Sequence, residues 1–551
     1  MRTRLAVVGT VVLGAVVGTG ALLGGAARTT ALTADCPAGY TREAGEARAC
    51  VTQQHPESLT ELLLGQAGRV SVRSAPFDRV APGAYANALA ERQALVQNRP
   101  QVKGADGTWS LYGHGPLIAD SPDYTNVNGL GLHKLSARLD GLAYDAAANR
   151  LFAAEGTGGL WLSTDQGLTW RSIGDGLPSQ VVADVGWTPA NGGTVVAVSG
   201  DPSFGSNAYT GFGAFWSTDL GATWTKATGV PDGALGFAIA ADPANPQRVY
   251  AATSFGLFRS TDGGKSYVNT NLPTGACAGV TGGGTCQLAN VVTDVRVVQP
   301  GGVGTTTPAG TVVAIVGWRA GARANSDGTV QSPANGVYRS DTGAPGTFQN
   351  VTSSGFAQQA RIGRTELGAA TGPQQDHDYL YAIVQDAGAL NGDLDILDVP
   401  VPDLKDKAQA AGGTVLNGVY VSADFGQTWT LMADDNAIAK NPATGSALVG
   451  LNSAQGYEPG VQAWYDEWIA PDPTRQDASG VPTRLAFGLE EVWQNEVSQA
   501  MNGPATFKVI GRFLGQGVHG PQPRPAGVPD RAAADERFDD APGPADRDLA
   551  P

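Results

Sequence analysis

An eight-residue phrase occurs four times in this chain of 551 residues: STDQGLTW at 163–170, STDLGATW at 217–224, STDGGKSY at 260–267 and SADFGQTW at 422–429. The surroundings repeat with it. A short apolar run leads into each phrase (GGLWLS, GAFWS, FGLFRS, NGVYVS), and a second run precedes that one (NRLFAAE, GTVVAVS, QRVYAAT, DYLYAIV). A third lies earlier still (LDGLAYD, ADVGWTP, GFAIAAD, TELGAAT), and a fourth opens at the phrase's own aromatic (TWRSIGDGLP, TWTKATGVP, SYVNTNLP, TWTLMADD). Four short runs punctuated by Gly, Asp and Pro read as four β-strands joined by tight turns. Two worn copies belong to the set, VYRSDTGAPGTFQNV at 337–351 and LEEVWQNEVSQAMNGPATFKVIG at 489–511, with first runs TDVRVVQP and DEWIAPD.

The spacing selects an architecture. Asp165 to Asp219 is 54 residues and Asp219 to Asp262 is 43. The longer intervals hold one set of four runs each, with the surplus in polar, turn-rich stretches at 319–334 and 387–415. Four-strand units of about 45 residues are the repeat of a β-propeller blade. The composition agrees, with 76 Gly and only 16% charged residues, which suits a sheet protein rich in tight turns. The expected fold is all-β: six recognisable propeller blades plus a partial seventh over 106–515, with a small, partly helical N-terminal cap.

The phrase itself is a turn. Its aspartate can accept the amides of its own corner, its glycine takes the positive φ that other residues resist, and Ser and Thr hydroxyls tie the loop further. These residues resemble the Asp-box (BNR) repeat, shared by sialidases, xyloglucanase-type glycosidases and the sortilin luminal domain. The resemblance implies a structural role for Asp165, Asp219, Asp262 and Asp424. It leaves the activity open, because fold and site are separate questions. Two departures weigh against an enzyme. The Arg-Ile-Pro motif of sialidases is absent, ARIGRTE at 360–366 being a superficial echo. The Thr-Asp-Val-Gly-Gly stretch of xyloglucanase-type enzymes is here AAEGTGG at 153–159, where Glu155 is the one substitute.

The ends of the chain differ from its middle. Arg2 and Arg4 precede an uncharged run from Leu5 to Ala27 with small residues after it, the pattern of a signal peptide over 1–34; an uncleaved anchor is the rival reading. Export predicts a secreted protein and permits disulfides, and the closely spaced pairs Cys36/Cys50 and Cys277/Cys286 favour local pairing among three possible connectivities. In segment 35–105, ESLTELLLGQ and YANALAERQALVQ have helical spacing. GTWSLYGHGPL at 107–117 resembles an outermost blade strand without three strands before it, so it predicts a seventh blade whose inner strands should follow residue 515. Residues 516–551 are instead a Pro/Ala/Asp-rich tail of disordered composition. Either that blade is truncated, or the ring has six blades and a natural tail.

Aligning the first strands brings out a column: Asp140, Asp184, Phe237, Asp294, Glu366 and Glu467, with Asp466 beside the last. First strands line a propeller's channel, so these acids are expected to face one another at its mouth. There they would bind Ca²⁺, a cationic group or sugar hydroxyls; alternatively each acid caps its own strand. No motif requires a cofactor. GVQAWYDEWIAPDP at 460–473 is the densest candidate, with Trp464 and Tyr465 offering faces for sugar rings and Asp466 and Glu467 a carboxyl pair for acid–base work. Trp468 is expected to pack between blades. Asp376-His377-Asp378 is either a metal-ligand trio or a solvated turn. A formal charge of −15 argues against nucleic acid; the expected partners are an extracellular glycan or a peptide.

Overall fold

A computed structural model of the chain describes residues 41–42, 50–51, 83–97, 117–118, 134–135, 138–201, 210–274, 290–317, 334–387, 415–438, 441–446 and 463–511. Six four-stranded antiparallel sheets account for most of them, each with its strands in sequence order. Blade 1 comprises Leu139–Asp145, Arg150–Glu155, Gly159–Ser163 and Arg171–Ser172. Blade 2 runs from Val182 to Lys226, blade 3 from Gly236 to Asn269, blade 4 from Val291 to Asn350, blade 5 from Ile362 to Ala433 and blade 6 from Trp468 to Gly511. The fold is a six-bladed β-propeller. The orphan strand pattern at 107–116, the signal segment and the tail lie outside the described residues. So do Cys36, Cys277, Cys286 and the Cys50 side chain. In the N-terminal segment, Ala84–Gln97 forms a helix, where YANALAERQALVQ predicts one. No helix among the described residues is long and apolar enough to cross a membrane.

Blades hold together through apolar cores at their faces. The described residues form five such cores, each shared by consecutive blades: Phe152 with Val185, Val196 with Val249, Leu257 with Val295, Ile315 with Leu380, and Tyr381 with Phe487. Among the described residues no sixth core joins blade 6 back to blade 1. Leu142 and Tyr144 on the first strand of blade 1 are accordingly 58% and 54% exposed. Trp468, at the start of blade 6, departs from expectation. It is 41% exposed and lies over Gly488 of its own sheet; among the described residues no blade follows to cover it.

A meander of four strands puts its turns alternately on two faces of the disc. The first–second and third–fourth turns share one face, the box face. The second–third hairpins and the blade-to-blade connections share the other, the loop face. All four repeated phrases are third–fourth turns. In each, the Asp accepts from a Ser hydroxyl, a backbone amide and a Thr or Ser hydroxyl: Asp165 from Ser163 Oγ at 2.8 Å, Thr169 N at 2.9 Å and Thr169 Oγ1 at 2.5 Å. Asp219, Asp262 and Asp424 repeat the pattern. Gly167, with φ near +87°, donates its amide to Ser163 Oγ; an L side chain is strained at that φ. The worn corners improvise. In blade 4, Thr342 stands where the Asp would, and Ser340 bonds Thr347 directly. In blade 6, Asn495 replaces the Ser and bonds Leu485 N and the Val497 carbonyl.

Candidate functional site at the ring axis

The first strands are not regular. Five of them carry a register shift: between Leu139 and Gly141 in blade 1, opposite Val198/Ser199 in blade 2, between Gly236 and Ala238 in blade 3, Val292 and Asp294 in blade 4, and Ile362 and Thr365 in blade 5. A bulge bends the strand and re-aims the side chains beside it. Asp140, Phe237 and Arg364 are themselves bulge residues, and Asp184 and Asp294 follow one directly. The bulges therefore set the direction in which these side chains leave their strands.

Two of its acids are blade-to-blade clips. Asp184 accepts from Val185 N at 2.8 Å and, with its other oxygen, from Ile239 N of blade 3 at 2.6 Å. Asp294 does the same between blades 4 and 5, from Val295 N at 2.6 Å and Leu367 N at 2.7 Å, and pairs with Arg296. Burial pushes the Asp184 carboxyl up to about 8, against the two amides and the more distant Arg296. Burial also raises Asp294, opposed first by Arg296.

The remaining acids gather around arginines that the column of acids does not contain. Asp140 is held by Arg138, which also bridges to Asp201 at 2.6 Å. Glu366 accepts two bonds from Arg364, at 3.0 and 2.7 Å. Arg364 is buried, feels Glu467 and Asp140 as well, and lies 6.0 Å from the Phe237 ring of blade 3. Arg138, Arg296 and Arg364 each stand two residues from a column acid. That spacing puts both side chains on one face of a strand, so the signal was present in the sequence.

Glu467 differs from the rest. It is 4% exposed, and neither carboxyl oxygen has a hydrogen-bond partner. Burial raises it well above the ordinary carboxylate range; Arg364 opposes, while Glu366, Asp466 and Asp294 add to the rise. Asp466 ends the short helix Ala463–Asp466, with one oxygen buried and unpartnered. Burial and then the nearby Glu490 push it up. Tyr465 is half-buried on the same helix; Trp464 lies on it too, its side chain outside the described residues. Acids from blades 1, 4, 5 and 6 are thus brought within electrostatic reach of Arg364 or of one another.

The trio at 376–378 is a turn on the box face. The His377 ring nitrogens lie 2.7 and 2.8 Å from the carbonyl oxygens of Gln299 and Gly372, and Asp378 accepts the amides of Thr306 and Thr307. With its nitrogens on backbone oxygens, His377 has none to offer a metal. Among the described residues no group of three or more His, Cys, Asp or Glu is arranged to hold a metal ion.

No protein-family model matches the chain, and no curated protein matches it. Solved structures do. The GH74 enzyme of Niastella koreensis is 17% identical with a TM-score of 0.41, over 68% of this chain and 47% of its own. The GH74 xyloglucanase of Xanthomonas campestris is 19% identical with a TM-score of 0.39, over 68% and 48%. YCF48 bound to D1 peptide is 12% identical with a TM-score of 0.34, over 68% and 84%. The chain spans about half the length of the GH74 proteins it matches. At these identities the likeness is one of fold, and the strand order itself makes the chain a β-propeller of six four-stranded blades.

Proposed function

We propose that this propeller is a secreted protein that binds an extracellular glycan at the axis on its loop face, with Asp466 and Glu467 as the polar centre of the site. The carrying observation is Glu467: a carboxyl enclosed by protein with both oxygens unpartnered. Retaining such a group costs stability, and a binding role gives a reason to retain it. Hydrolysis needs a carboxyl that still holds its proton and a second that has lost it. The raised Asp466 suits the first task. Glu366, which accepts two hydrogen bonds from Arg364, is the carboxyl assigned to the second in this reading. The half-buried Tyr465 supplies an aromatic face at the rim. Ca²⁺ is not needed for this reading.

The test is a polysaccharide binding panel with a reducing-sugar assay on wild type, Asp466→Asn and Glu467→Gln. Binding or release that survives both substitutions discards the site. A second reading is a non-catalytic propeller that takes a peptide or protein. It is favoured by Asp184 and Asp294, whose carboxylates are spent on backbone amides and are closed to acid–base work. Failure on every polysaccharide together with peptide capture selects it.

A further inference from the structure

Acids at the axis outnumber the arginines that pair with them. Arg138 bonds Asp140 and Asp201, Arg296 bonds Asp294, and Arg364 bonds Glu366. Asp466 and Glu467 join the same cluster from blade 6. Glu467 precedes the first strand of that blade, Trp468–Pro471, and the helix Ala463–Asp466 packs on the first strand of blade 5, Ile362–Ala369, which carries Arg364 and Glu366. Yet Arg364 acts on Glu467 by charge and donates no hydrogen bond to it. Both Glu467 oxygens and Asp466 Oδ1 are buried and unpartnered. Two consecutive residues thus hold three enclosed acceptors, on side chains whose electrostatic neighbours include Glu366, Asp294 and Glu490.

The number and setting of these acceptors narrow what can fill them. A buried acceptor is satisfied only by a donor, and a carboxylate withdrawn from water only by positive charge beside it. A sugar hydroxyl brings a donor without the charge. A metal ion needs several ligands arranged around it, and among the described residues no group of three or more His, Cys, Asp or Glu is so arranged. A guanidinium is a planar fork of five donors, more than the three acceptors can use; a primary ammonium is compact and carries three. Tyr465 and Asp466 are half-buried, so the group is approached along the rim they form. There the Tyr465 ring offers a face to the sugar that carries the amine. Without a cation beside it, Glu467 keeps its proton because of burial and of Glu366, Asp466 and Asp294, against Arg364. A bound ammonium favours the ionised form, so the proton leaves on binding.

We propose that the axial site selects a primary ammonium group carried by a glycan of amino sugars with free amines, the two Glu467 oxygens and Asp466 Oδ1 accepting its three N–H groups. This selectivity rests on the glycan reading and deepens it by naming the class of glycan.

Calorimetry on the full chain at about pH 6, where a sugar amine is charged, decides it with oligomers of glucosamine, N-acetylglucosamine and glucose of one length and linkage. The glucosamine oligomer is expected to bind at least about 10-fold more tightly than the other two, and to release protons, read from its heats in two buffers of different ionisation enthalpy. Glu467→Gln should abolish both the preference and the release, and Asp466→Asn should weaken the preference. Glu467→Gln leaves no charge to bury and so does not endanger folding. Asp165→Asn, the same change of charge on the box face, should keep both. Equal binding of the three oligomers that Glu467→Gln weakens alike leaves the glycan reading standing and overturns the amine. A preference that survives Glu467→Gln, or comes without proton release, is attraction to the acidic surface as a whole and also overturns it. If no oligomer binds while a lysine-containing peptide does, the glycan reading falls and the amino-sugar class with it; binding of no probe has the same result.

Discussion

On the box face Asp165 lies open to water, accepts two hydroxyls and an amide from its own turn, and is held at about 2, chiefly by Thr169. At the axis Asp184 also accepts two amides, yet burial drives it up to about 8. The residue type is the same and the donor count is similar. What differs is access to water and the reach of the bonds. The box aspartate closes a loop of five residues, while the axial one ties strands of different blades. A carboxylate in water is stabilised by every donor added to it; one withdrawn from water must first recover its lost hydration, and two amides are not enough. The repeated face is therefore made of corners that could be exchanged between blades, and the axial face of contacts that hold only in their own place.

The contrast can be broken most easily at Asp294. Asp294→Ala leaves two buried amides and the Arg296 guanidinium without their acceptor, and should cost about 3–5 kcal/mol in urea unfolding at pH 8. A loss near zero would mean that the apolar cores alone join blades 4 and 5. Asp262→Ala strips one corner of its acceptor and should cost about 1–3 kcal/mol, with amide exchange rising at residues 263–267 and unchanged in blade 5.

Glu467→Gln should act in the opposite direction, stabilising the protein by about 1 kcal/mol in thermal melts at pH 8.5. Because the folded protein holds a proton on Glu467 that the unfolded chain has already released, wild-type stability falls as pH rises above the ordinary Glu value. The advantage of the amide must therefore shrink at pH 5; an advantage independent of pH would refute the raised Glu467 carboxyl. The smallest effect belongs to Asp165. Its contribution is complete above pH 3.8 and disappears as pH falls through about 2. The Thr169 amide resonance should titrate with that midpoint, and should not titrate in Asp165→Asn.

The blades were legible because their signals are local. Each strand is a short apolar run, each corner is a fixed phrase, and LDGLAYD coincides with the observed first strand of blade 1 residue for residue. The axial column was legible as positions and not as chemistry. Sequence aligned Asp184 with Asp294, but whether each acid faces a ligand or a neighbouring blade depends on bulges, which follow from how two strands pair. The arginines went unread for a related reason. Arg364 matters through its approach to Glu366 and Phe237 and its pull on Glu467, and two of those three partners come from other blades. Trp468 was misplaced because packing between blades presupposes a following blade, which blade 6 does not meet among the described residues.

Corners lean on the blade before them, a Cβ at Gly221 of blade 2 falling 2.6 Å from Ile173 of blade 1 and one at Gly426 of blade 5 falling 2.9 Å from Val313 of blade 4, and this gives the disc a direction of construction. A ribosome releases blade 1 before blade 2, so each new sheet emerges with its footing already standing. Pulled from its C-terminal end, the same molecule would shed sheets in reverse, one support at a time, like courses lifted from a wall.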